Sequence, residues 1–398
     1  MLAVEAARAQ LLAGAAPLPA EALPLAAAHG RVLAQDVAAR LTQPPFPASA
    51  MDGYAVRWAD IPAGLWRVVG ESAAGRGWSG TIGAGEAVRI FTGAPLPAGA
   101  DTVVVQEEIT RDGETTRLSG EGPGRLGAHI RAAGQDFAAG ALLARAGDRL
   151  TPARLGLLAA GGHGTLPVVR RPRVVLLATG DELVPPGTLP GPDQIVSSNG
   201  VMLGALLAQA GAEVADLGIV PDRREALQAA LAGARGDIII TIGGASVGDH
   251  DLVVPVLREM GATLDFWKIA MRPGKPMLAG KLGPSRIIGL PGNPVSAFVC
   301  ATLFVLPLVR LLAGQSPDIA TRRLPLAAPL PANGTRRDHM RGTLQPDGRV
   351  RAATGQDSAQ LSVLAASDVL IVREIGAPAA ITDEMVTCIA LDSIGDVS

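Results

Sequence analysis

Cysteine is nearly absent from this 398-residue sequence, which contains only Cys300 and Cys388. Two isolated cysteines fit a reducing compartment and exclude a disulfide framework of the kind found in small secreted domains. The five histidines are scattered, and neither they nor the cysteines have the spacing of zinc ligands. We therefore expect a cytoplasmic protein without structural zinc.

An excess of charge of either sign is also missing, since the net charge is −2 and charged residues make up 18% of the chain. A nucleic-acid-binding protein needs a basic surface, so this balance argues against that class. Apolar residues make up 48% of the chain, which is enough for packed cores and unlike the composition of disordered proteins. The length predicts roughly two to four structural units.

The sequence also lacks a basic region ahead of an apolar run at its start, so no signal peptide is predicted. Its longest uncharged apolar stretch runs from Ile287 to Val309. That stretch contains Pro291-Gly292-Asn293-Pro294, which must turn, and the apolar helix after the turn is shorter than the roughly 20 residues that a bilayer requires. A buried helix is therefore predicted, and we expect a soluble protein with no membrane partner.

Three regions outside the centre of the chain differ in residue pattern. Residues 1–41 and 137–170 are alanine-rich and predict a mainly helical region, which closely spaced prolines interrupt after residue 42. Residues 42–136 contain short strand-like runs between glycine-rich turns and predict an inserted β-rich module. Residues 317–398 contain similar runs with turns at Asn333-Gly334 and Asp347-Gly348, and predict a small C-terminal β domain.

The central region, residues 171–316, alternates between strand-like and helical patterns. Val174 to Ala178 and Asp237 to Thr241 have the apolar character of strands that are buried on both faces of a parallel sheet. Residues 222–225 have the form of a capping box, with Asp222 as the cap of the next helix. The alternation predicts a doubly wound α/β domain, so the fold class is multi-domain α/β. Ligands of such domains bind beyond the carboxyl ends of the strands.

Two loops that follow predicted strands carry carboxylates. The first, Thr179 to Glu182, ends in two acidic residues suited to a hydrated Mg²⁺, although an acidic helix cap is an equally good interpretation. The second runs from Gly243 to Asp251, and its glycines let backbone N–H groups approach an anion. Asp249 and Asp251 in this loop are suited to a cation that bridges to a phosphate. The spacing is neither that of a Walker A loop nor that of a dinucleotide fingerprint.

The remaining candidate features suit anions. The loop from Leu290 to Ala297 has prolines near a predicted helix start and forms either a rigid anion cradle or simply a stiff turn. Just before it, Lys268, Arg272 and Lys275 place three cations within eight residues. Such a cluster beside anion-binding loops suits phosphate or a tetrahedral oxyanion, whereas surface solubility is the simpler alternative.

Together these segments resemble the molybdopterin molybdenumtransferase family, which includes MoeA and the gephyrin E domain. The chain contains SAMDGYAV, RIFTGAPLPAGAD, TGDEL, GGASVGDHD, WKIAMRPGKP and LPGNPVSA, in the order typical of the family. Each motif alone is weak, and Asp52-Gly53 by itself is an ordinary turn. The ordered set is highly specific.

The resemblance implies a four-part subunit: a helical N-terminal region, a β-rich module, a MogA-like α/β domain that binds molybdopterin, and a C-terminal β domain. It also implies an elongated homodimer, with the active cleft between the β-rich module of one subunit and the α/β and C-terminal domains of the other. The implied reaction uses Mg²⁺ to insert molybdate into adenylylated molybdopterin, releasing AMP. Implied protein partners are the molybdopterin adenylyltransferase and the apoproteins of molybdoenzymes.

The resemblance assigns roles to individual residues by position. The implied catalytic residues are Asp52, Thr92, Asp136, Glu182, Asp222 and Asp251. The implied substrate-binding residues are Thr179, Gly180, Asp181, Gly243, Gly244, Ser246, Gly248, Lys268, Arg272, Lys275, Pro276, Pro291, Gly292, Asn293, Ser296, Arg341 and Ser358. The implied metal ligands are Glu182, Asp249 and Asp251. Arg272 stands where the family pattern has lysine, Asp249 where glutamate is common, and Ser358 in a stretch that only approximates the pattern.

Two alternative functions follow from the same residues. A molybdopterin adenylyltransferase shares the α/β domain, but the long N-terminal half with Asp52 and Asp136 argues against that enzyme. A non-catalytic scaffold of the gephyrin kind would be favoured by the loss of acidic and basic residues, and these are present. The insertion of molybdate is the principal prediction.

Overall fold

The computed structural model describes residues 1–243 and 252–391. The chain forms two compact units. The larger unit comprises residues 1–21, residues 30–34 and the chain from residue 167 onward, and the smaller unit comprises residues 22–29 and 35–166. The smaller unit is therefore inserted into the sequence of the larger one.

The N-terminal helix is shorter than the alanine-rich pattern predicts. Helix α1 (Val4–Leu12) is followed by strand β1 (Ala20–Pro24) and a 3-10 turn at Leu25–Ala27. Gly14 has a φ of 64°, and the prolines at positions 17 and 19 cannot continue a helix. Val4, Ala7 and Leu11 are buried in a core that α1 shares with the α/β domain.

The smaller unit is built on a six-stranded sheet with the order β7-β4-β6-β5-β9-β8. The smaller unit contains β2 (Val37–Ala38), β3 (Ala48–Ser49), β4 (Gly53–Val56), β5 (Leu65–Ser72), β6 (Glu86–Ile90), β7 (Thr102–Val105), β8 (Ile109–Asp112), β9 (Thr115–Leu118), β10 (Ile130–Arg131) and β11 (Leu142–Ala144). Strands β4 to β9 form the six-stranded sheet, and the other four form separate pairs. Two 3-10 helices lie at Trp58–Ala63 and Gln106–Glu108. The β-rich character predicted for this region is confirmed.

Helix α2 (Pro152–Ala160) lies in the region that the sequence predicts to be helical. The Oγ1 atom of Thr151 accepts a hydrogen bond from the Arg154 backbone N–H at 3.3 Å, and Pro152 occupies the first turn. Proline is favoured there because its missing N–H would have no helical partner. Strand β12 (Thr165–Val169) follows.

The α/β domain has the order β16-β13-β17-β21-β20-β18 in its sheet, and its first four strands are parallel. Its elements are β13 (Arg173–Thr179), β14 (Leu183–Val184), β15 (Ile195–Val196), α3 (Asn199–Gln209), β16 (Glu213–Val220), α4 (Arg224–Gly233), β17 (Ile238–Ile242), α5 (Val253–Glu259), β18 (Thr263–Lys268), β19 (Met271–Arg272), β20 (Pro276–Leu282) and β21 (Ser285–Leu290). Alternate residues of β13 and β17 face two separate cores, one with α3 and the other with α4 and α5. The predicted doubly wound arrangement is confirmed.

The longest helix follows β21 and spans Pro294–Leu312. It consists of α6 (Pro294–Cys300), one π-helical stretch (Ala301–Val305) and α7 (Leu306–Leu312). The widened turn accommodates Pro307, which has no N–H to donate to the preceding turn. At 19 residues the helix is long and apolar enough to cross a membrane by length and composition alone. However, 89% of its most apolar window is buried inside the protein, as in the core helix of a globular domain.

The C-terminal β domain belongs to the larger unit. Its sheet has the order β19-β23-β25-β26-β22, and β24 pairs with β23. Its elements are β22 (Arg322–Pro325), β23 (Arg337–Leu344), β24 (Val350–Ala352), α8 (Leu361–Ala365), β25 (Val369–Arg373) and β26 (Met385–Ala390). Strand β19 lies between β18 and β20 of the α/β domain in the sequence, but it pairs in parallel with β23. It therefore connects the α/β domain to this sheet.

Candidate functional site

Three loops meet at the carboxyl ends of the parallel strands. Gly243, directly after β17, has a φ of 86°, and a Cβ atom on it would lie 3.0 Å from the carbonyl oxygen of Thr179. The corresponding Cβ position of Gly292 lies 3.9 Å from the Cα of Gly243. Glycine is therefore required at Gly243 for both conformation and space, and its small size lets the three loops approach one another.

A cavity of about 570 Å³ opens at this edge of the sheet. It lies at the ends of β13 and β17, between which the strand order reverses, and this is where doubly wound domains bind ligands. The predicted substrate-binding residues that line it are Thr179, Pro276, Pro291, Gly292 and Asn293, and Glu182, a predicted catalytic residue and metal ligand, lines it as well. The sequence therefore located this cavity through the residues that follow each strand.

One wall of the cavity was not predicted from the sequence. It consists of β15 and the start of α3, residues 195–199. Strand β15 pairs in parallel with β14 and so returns toward the end of β13. The Nδ2 atom of Asn199 donates a hydrogen bond to the Gly292 carbonyl at 2.7 Å, which fastens two loops together. The run Ser197-Ser198-Asn199-Gly200 ahead of a helical pattern was the available signal.

The acidic edge of the cavity brings three predicted residues together. Gly180 has a φ of 147°, and a Cβ atom on it would lie 2.4 Å from a carboxylate oxygen of Glu182. The Asp181 carboxylate accepts a hydrogen bond from the Asp222 backbone N–H at 3.3 Å. Partial burial, followed by the negative charges of Asp181 and Glu182, raises the pKa of the Asp222 carboxyl.

The predicted capping box at residues 222–225 is wrong. The residue before α4 is Arg223, and no side chain caps the helix. Asp222 lies one residue too early to act as the cap, and its backbone N–H is bound by Asp181 instead. Asp222 therefore belongs with Asp181 and Glu182 to the acidic edge.

Five predicted residues of the glycine loop, Gly244, Ser246, Gly248, Asp249 and Asp251, lie outside the described residues. Glu182 is thus the only predicted metal ligand in the described part of the chain. Within residues 1–243 and 252–391, no group of three or more His, Cys, Asp or Glu side chains is arranged to hold a metal ion.

A cluster of cations lies where β19 meets β23. Arg272 and Asp338 are register partners, and the Arg272 guanidinium donates from Nε to an Asp338 carboxylate oxygen at 3.0 Å and from Nη2 to the same oxygen. The Asp338 side chain is 4% exposed, whereas that of Arg272 is 54% exposed. Arg341, two residues further along β23 from His339, is buried, and burial lowers its pKa while Asp338 opposes that change.

Hydrogen bonds connect this cluster to the cavity. The Arg341 Nη2 atom donates to the Asp357 carbonyl at 3.1 Å. The next residue, Ser358, accepts a hydrogen bond on Oγ from the Asn293 Nδ2 atom at 3.1 Å. Asn293 lines the cavity. Ser358 thus contacts the third loop even though its sequence motif is loose.

The other predicted binding residues of the larger unit differ in exposure. Lys268 and Lys275 are exposed, and no ion pair forms between them and the rest of the described chain. Ser296 is 5% exposed and lies in the first turns of α6.

The smaller unit contains a second group of predicted residues. The Asp52 carboxylate accepts hydrogen bonds from the Thr92 backbone N–H at 2.7 Å and from its hydroxyl at 2.8 Å. These two bonds, with help from the charge of Arg89, lower the pKa of Asp52. Arg89 in turn lies over the rings of Tyr54 and Phe91, at 5.2 and 4.6 Å. Asp136 is exposed, and only its backbone makes a hydrogen bond in the described chain.

Three family models match the chain. The model of the MoeA N-terminal region (domain I and II) matches residues 2–162. A model described as a probable molybdopterin binding domain matches residues 175–311. The model of the MoeA C-terminal region (domain IV) matches residues 323–380.

Similar proteins come from several different organisms. A molybdopterin molybdenumtransferase of Haemophilus influenzae is 40% identical over 79% of this chain and 78% of its own length. One from a Nostoc species is 41% identical over 74% of this chain and 70% of its own length. The crystal structure of a molybdopterin biosynthesis MoeA protein from Pyrococcus horikoshii matches 98% of this chain and 99% of its own, with a TM-score of 0.84 and 28% identity.

Proposed function

Since this chain belongs to the molybdopterin molybdenumtransferase family, we propose that it inserts molybdate into adenylylated molybdopterin and releases AMP. The observation that carries this proposal is the cavity at the carboxyl ends of β13, β17 and β21. An acidic edge lies on one side of it. Asn293 is hydrogen-bonded to Ser358, and Arg341 is hydrogen-bonded to the neighbouring residue Asp357. This combination suits a substrate that contains a phosphoanhydride and a second, separate oxyanion.

The two arginines support the binding of molybdate. Arg272 and Arg341 carry two positive charges, and the carboxylates of Asp338 and Asp357 are the negative charges that act on Arg341. Molybdate is a dianion, and guanidinium groups bind tetrahedral oxyanions through several directed donors. Lys275 and Lys268 add charge from the same basic segment.

The acidic edge supports a role for Mg²⁺. The pKa of Asp222 is raised by its burial and by the charges of Asp181 and Glu182, so a cation at this edge would relieve a repulsion that the folded chain contains. Oxygen ligands are those that Mg²⁺ prefers. We propose that Glu182 holds the ion together with Asp249 and Asp251, the last two of which lie outside the described residues. Bound there, Mg²⁺ would neutralise charge on the phosphate groups.

The smaller unit supplies the Asp52–Thr92 pair. The two hydrogen bonds from Thr92 stabilise the ionised form of Asp52, lower its pKa and fix its orientation. We propose that this carboxylate acts in the reaction as the resemblance implies, and that it does so in a cytoplasmic homodimer. The molybdopterin adenylyltransferase and the apoproteins of molybdoenzymes are proposed as partners that deliver the substrate and receive the product.

The decisive experiment measures AMP release from adenylylated molybdopterin, with and without molybdate and Mg²⁺. Wild type should release AMP only when molybdate is present, and Asp251→Asn should reduce the rate by at least about a hundredfold. If wild type binds the pterin but releases no AMP, the scaffold function replaces the catalytic one. If wild type instead forms adenylylated molybdopterin from a nucleotide and molybdopterin, the adenylyltransferase function replaces it.

A further inference from the structure

Asp338 is a buried carboxylate that lies outside the sequence motifs of the family. It lies on β23 directly beside Arg272 of β19, and the parallel pairing of these strands fixes the two residues as neighbours. Its side chain is 4% exposed. An unpaired carboxylate at such a position would destabilise the folded protein, so Asp338 requires a positively charged partner.

The geometry of the pair leaves one side of Arg272 available. Two donors of the guanidinium, Nε and Nη2, are directed to the same Asp338 oxygen. Among the described residues, Nη1 has no hydrogen-bond partner, and the arginine side chain is 54% exposed. Because a guanidinium is planar, fixing its Nε–Nη2 edge also fixes the direction in which Nη1 points.

We propose that Asp338 is a positioning residue of the oxyanion site, which holds Arg272 by one edge so that its Nη1 side meets molybdate. The inference rests on the proposed function. It assigns to Asp338 no contact with substrate, because the carboxylate acts through Arg272. It also gives a reason for arginine at position 272. A planar guanidinium can bind Asp338 with one edge and present its Nη1 donors in a fixed direction, whereas the ammonium group of a lysine that is bound to Asp338 has no second group of donors held in this way.

Two other roles for Asp338 predict results that differ from those of the positioning role. If the carboxylate merely competed with molybdate for Arg272, its removal would strengthen the binding of molybdate. If it only stabilised the contact between β19 and β23, its removal would lower the melting temperature and affect binding equally whether position 272 held arginine or lysine. The positioning role alone makes the effect depend on the planar guanidinium.

The test is a double-mutant cycle of Asp338→Asn and Arg272→Lys, with three readouts. These are the KM for molybdate in AMP release, kcat at saturating molybdate, and the Kd of tungstate measured by calorimetry on the full-length protein. Asp338→Asn should raise the KM for molybdate about five- to tenfold, the loss of one well-placed charged hydrogen bond, with kcat changed less than about twofold. In the Arg272→Lys background, the same substitution should change KM less than about twofold.

Asp237→Asn is the matched control. Asp237 accepts two hydrogen bonds from the Arg170 guanidinium, at 2.8 and 3.0 Å, at the opposite end of the sheet. This variant should lower the melting temperature and leave the KM for molybdate unchanged. An unchanged or lower KM in Asp338→Asn, or an equal effect in both backgrounds, overturns the proposal. Should wild type release no AMP, the proposed function fails, and the tungstate arm still decides whether Asp338 positions an oxyanion-binding arginine.

Discussion

At the scale of single residues, the state of a carboxylate depends on its immediate partners. Asp52 and Asp222 are both predicted catalytic acids, yet their pKa values shift in opposite directions. Asp52 receives two hydrogen bonds from Thr92, which stabilise its ionised form. Asp222 is partly buried near two other negative charges, which destabilise its ionised form. The two residues are therefore suited to different tasks at the same pH.

The first prediction concerns Thr92→Val, which removes the hydroxyl donor and retains the backbone N–H. The pKa of Asp52 should rise, because its ionised form loses one of its two stabilising bonds. If the ionised carboxylate is the active form, the loss of kcat/KM on acidification should begin at a higher pH than in wild type. A pH profile of AMP release measures this change.

Thr102→Val serves as the control for this prediction. It removes another threonine hydroxyl that donates to an aspartate, Asp101, at 3.2 Å in the same unit. Its pH profile should match that of wild type. An unshifted profile in Thr92→Val would show that Asp52 does not control the acidic limb.

The second prediction concerns Asp222→Asn. Because the pKa of Asp222 is raised in the folded state, its ionised form opposes folding at neutral pH, and this cost disappears as the pH falls through the folded pKa. Asp222→Asn should therefore stabilise the protein at pH 7, by less than about 1 kcal/mol after screening by solvent. The difference from wild type should shrink as the pH is lowered toward about 4.

Urea denaturation at several pH values measures this difference, and Asp347→Asn provides the comparison. Asp347 has a lowered pKa because it pairs with Arg349. Its ionised form therefore favours folding, and Asp347→Asn should not stabilise the protein at pH 7. A destabilised Asp222→Asn at neutral pH would contradict the proposed repulsion. AMP release should fall in Asp222→Asn even though its stability increases.

At the scale of elements, strand ends and their loops define the cavity. The apolar runs of β13 and β17 and the polar residues after them could be recognised in the sequence because these signals are local. Parallel strands then bring the loops to one edge. The wall from Ser197 to Asn199 was missed because it depends on the pairing of β14 with β15, which no local pattern specifies. The cap assigned to Asp222 was wrong for the same reason, since a contact with Asp181 decides its place.

The third prediction concerns the long helix at Pro294–Leu312, which supports the third loop. Phe304 is fully buried in the core on one face of the sheet. Phe304→Ala should destabilise the protein by about 3–5 kcal/mol, because it removes apolar contacts and leaves a cavity. Urea denaturation followed by circular dichroism measures the loss.

Ile375→Ala is the control, since Ile375 is 52% exposed in the same unit. Its effect should remain within about 0.5 kcal/mol. If Phe304→Ala cost no more than this control, the helix would not be the core element that its burial indicates. Fractionation of cells would test the proposed cytoplasmic location.

At the scale of the whole molecule, the predicted functional residues are divided between two compact units of the chain. Asp52 and Thr92 belong to the smaller unit, and the cavity and the arginine cluster belong to the larger one. The family resemblance implies a cleft that two subunits complete. A homodimer is therefore central to the proposed function, and sedimentation velocity should show twice the mass of the 40.5 kDa chain.

The fourth prediction tests shared sites by mixing two inactive variants, Asp52→Asn and Arg272→Gln. If each site uses Asp52 of one subunit and Arg272 of the other, every mixed dimer contains one intact site. Random reassortment makes half of the dimers mixed, so AMP release should recover to about one quarter of the wild-type rate. Sites contained within single chains would give no recovery, because each mixed dimer would then contain two defective sites.

The sequence by itself determined the fold class and the strand-to-helix loops of the site, because apolar periodicity, glycine and proline act over a few neighbouring residues. The family was recognised separately, from the resemblance of its ordered motifs. Tertiary structure alone decided which side chains meet across long separations. Arg272 and Asp338 become partners through the register of β19 and β23, and Asp52 and Thr92 through the adjacent strands β4 and β6. Such contacts depend on strand register and burial, which arise only when the chain packs.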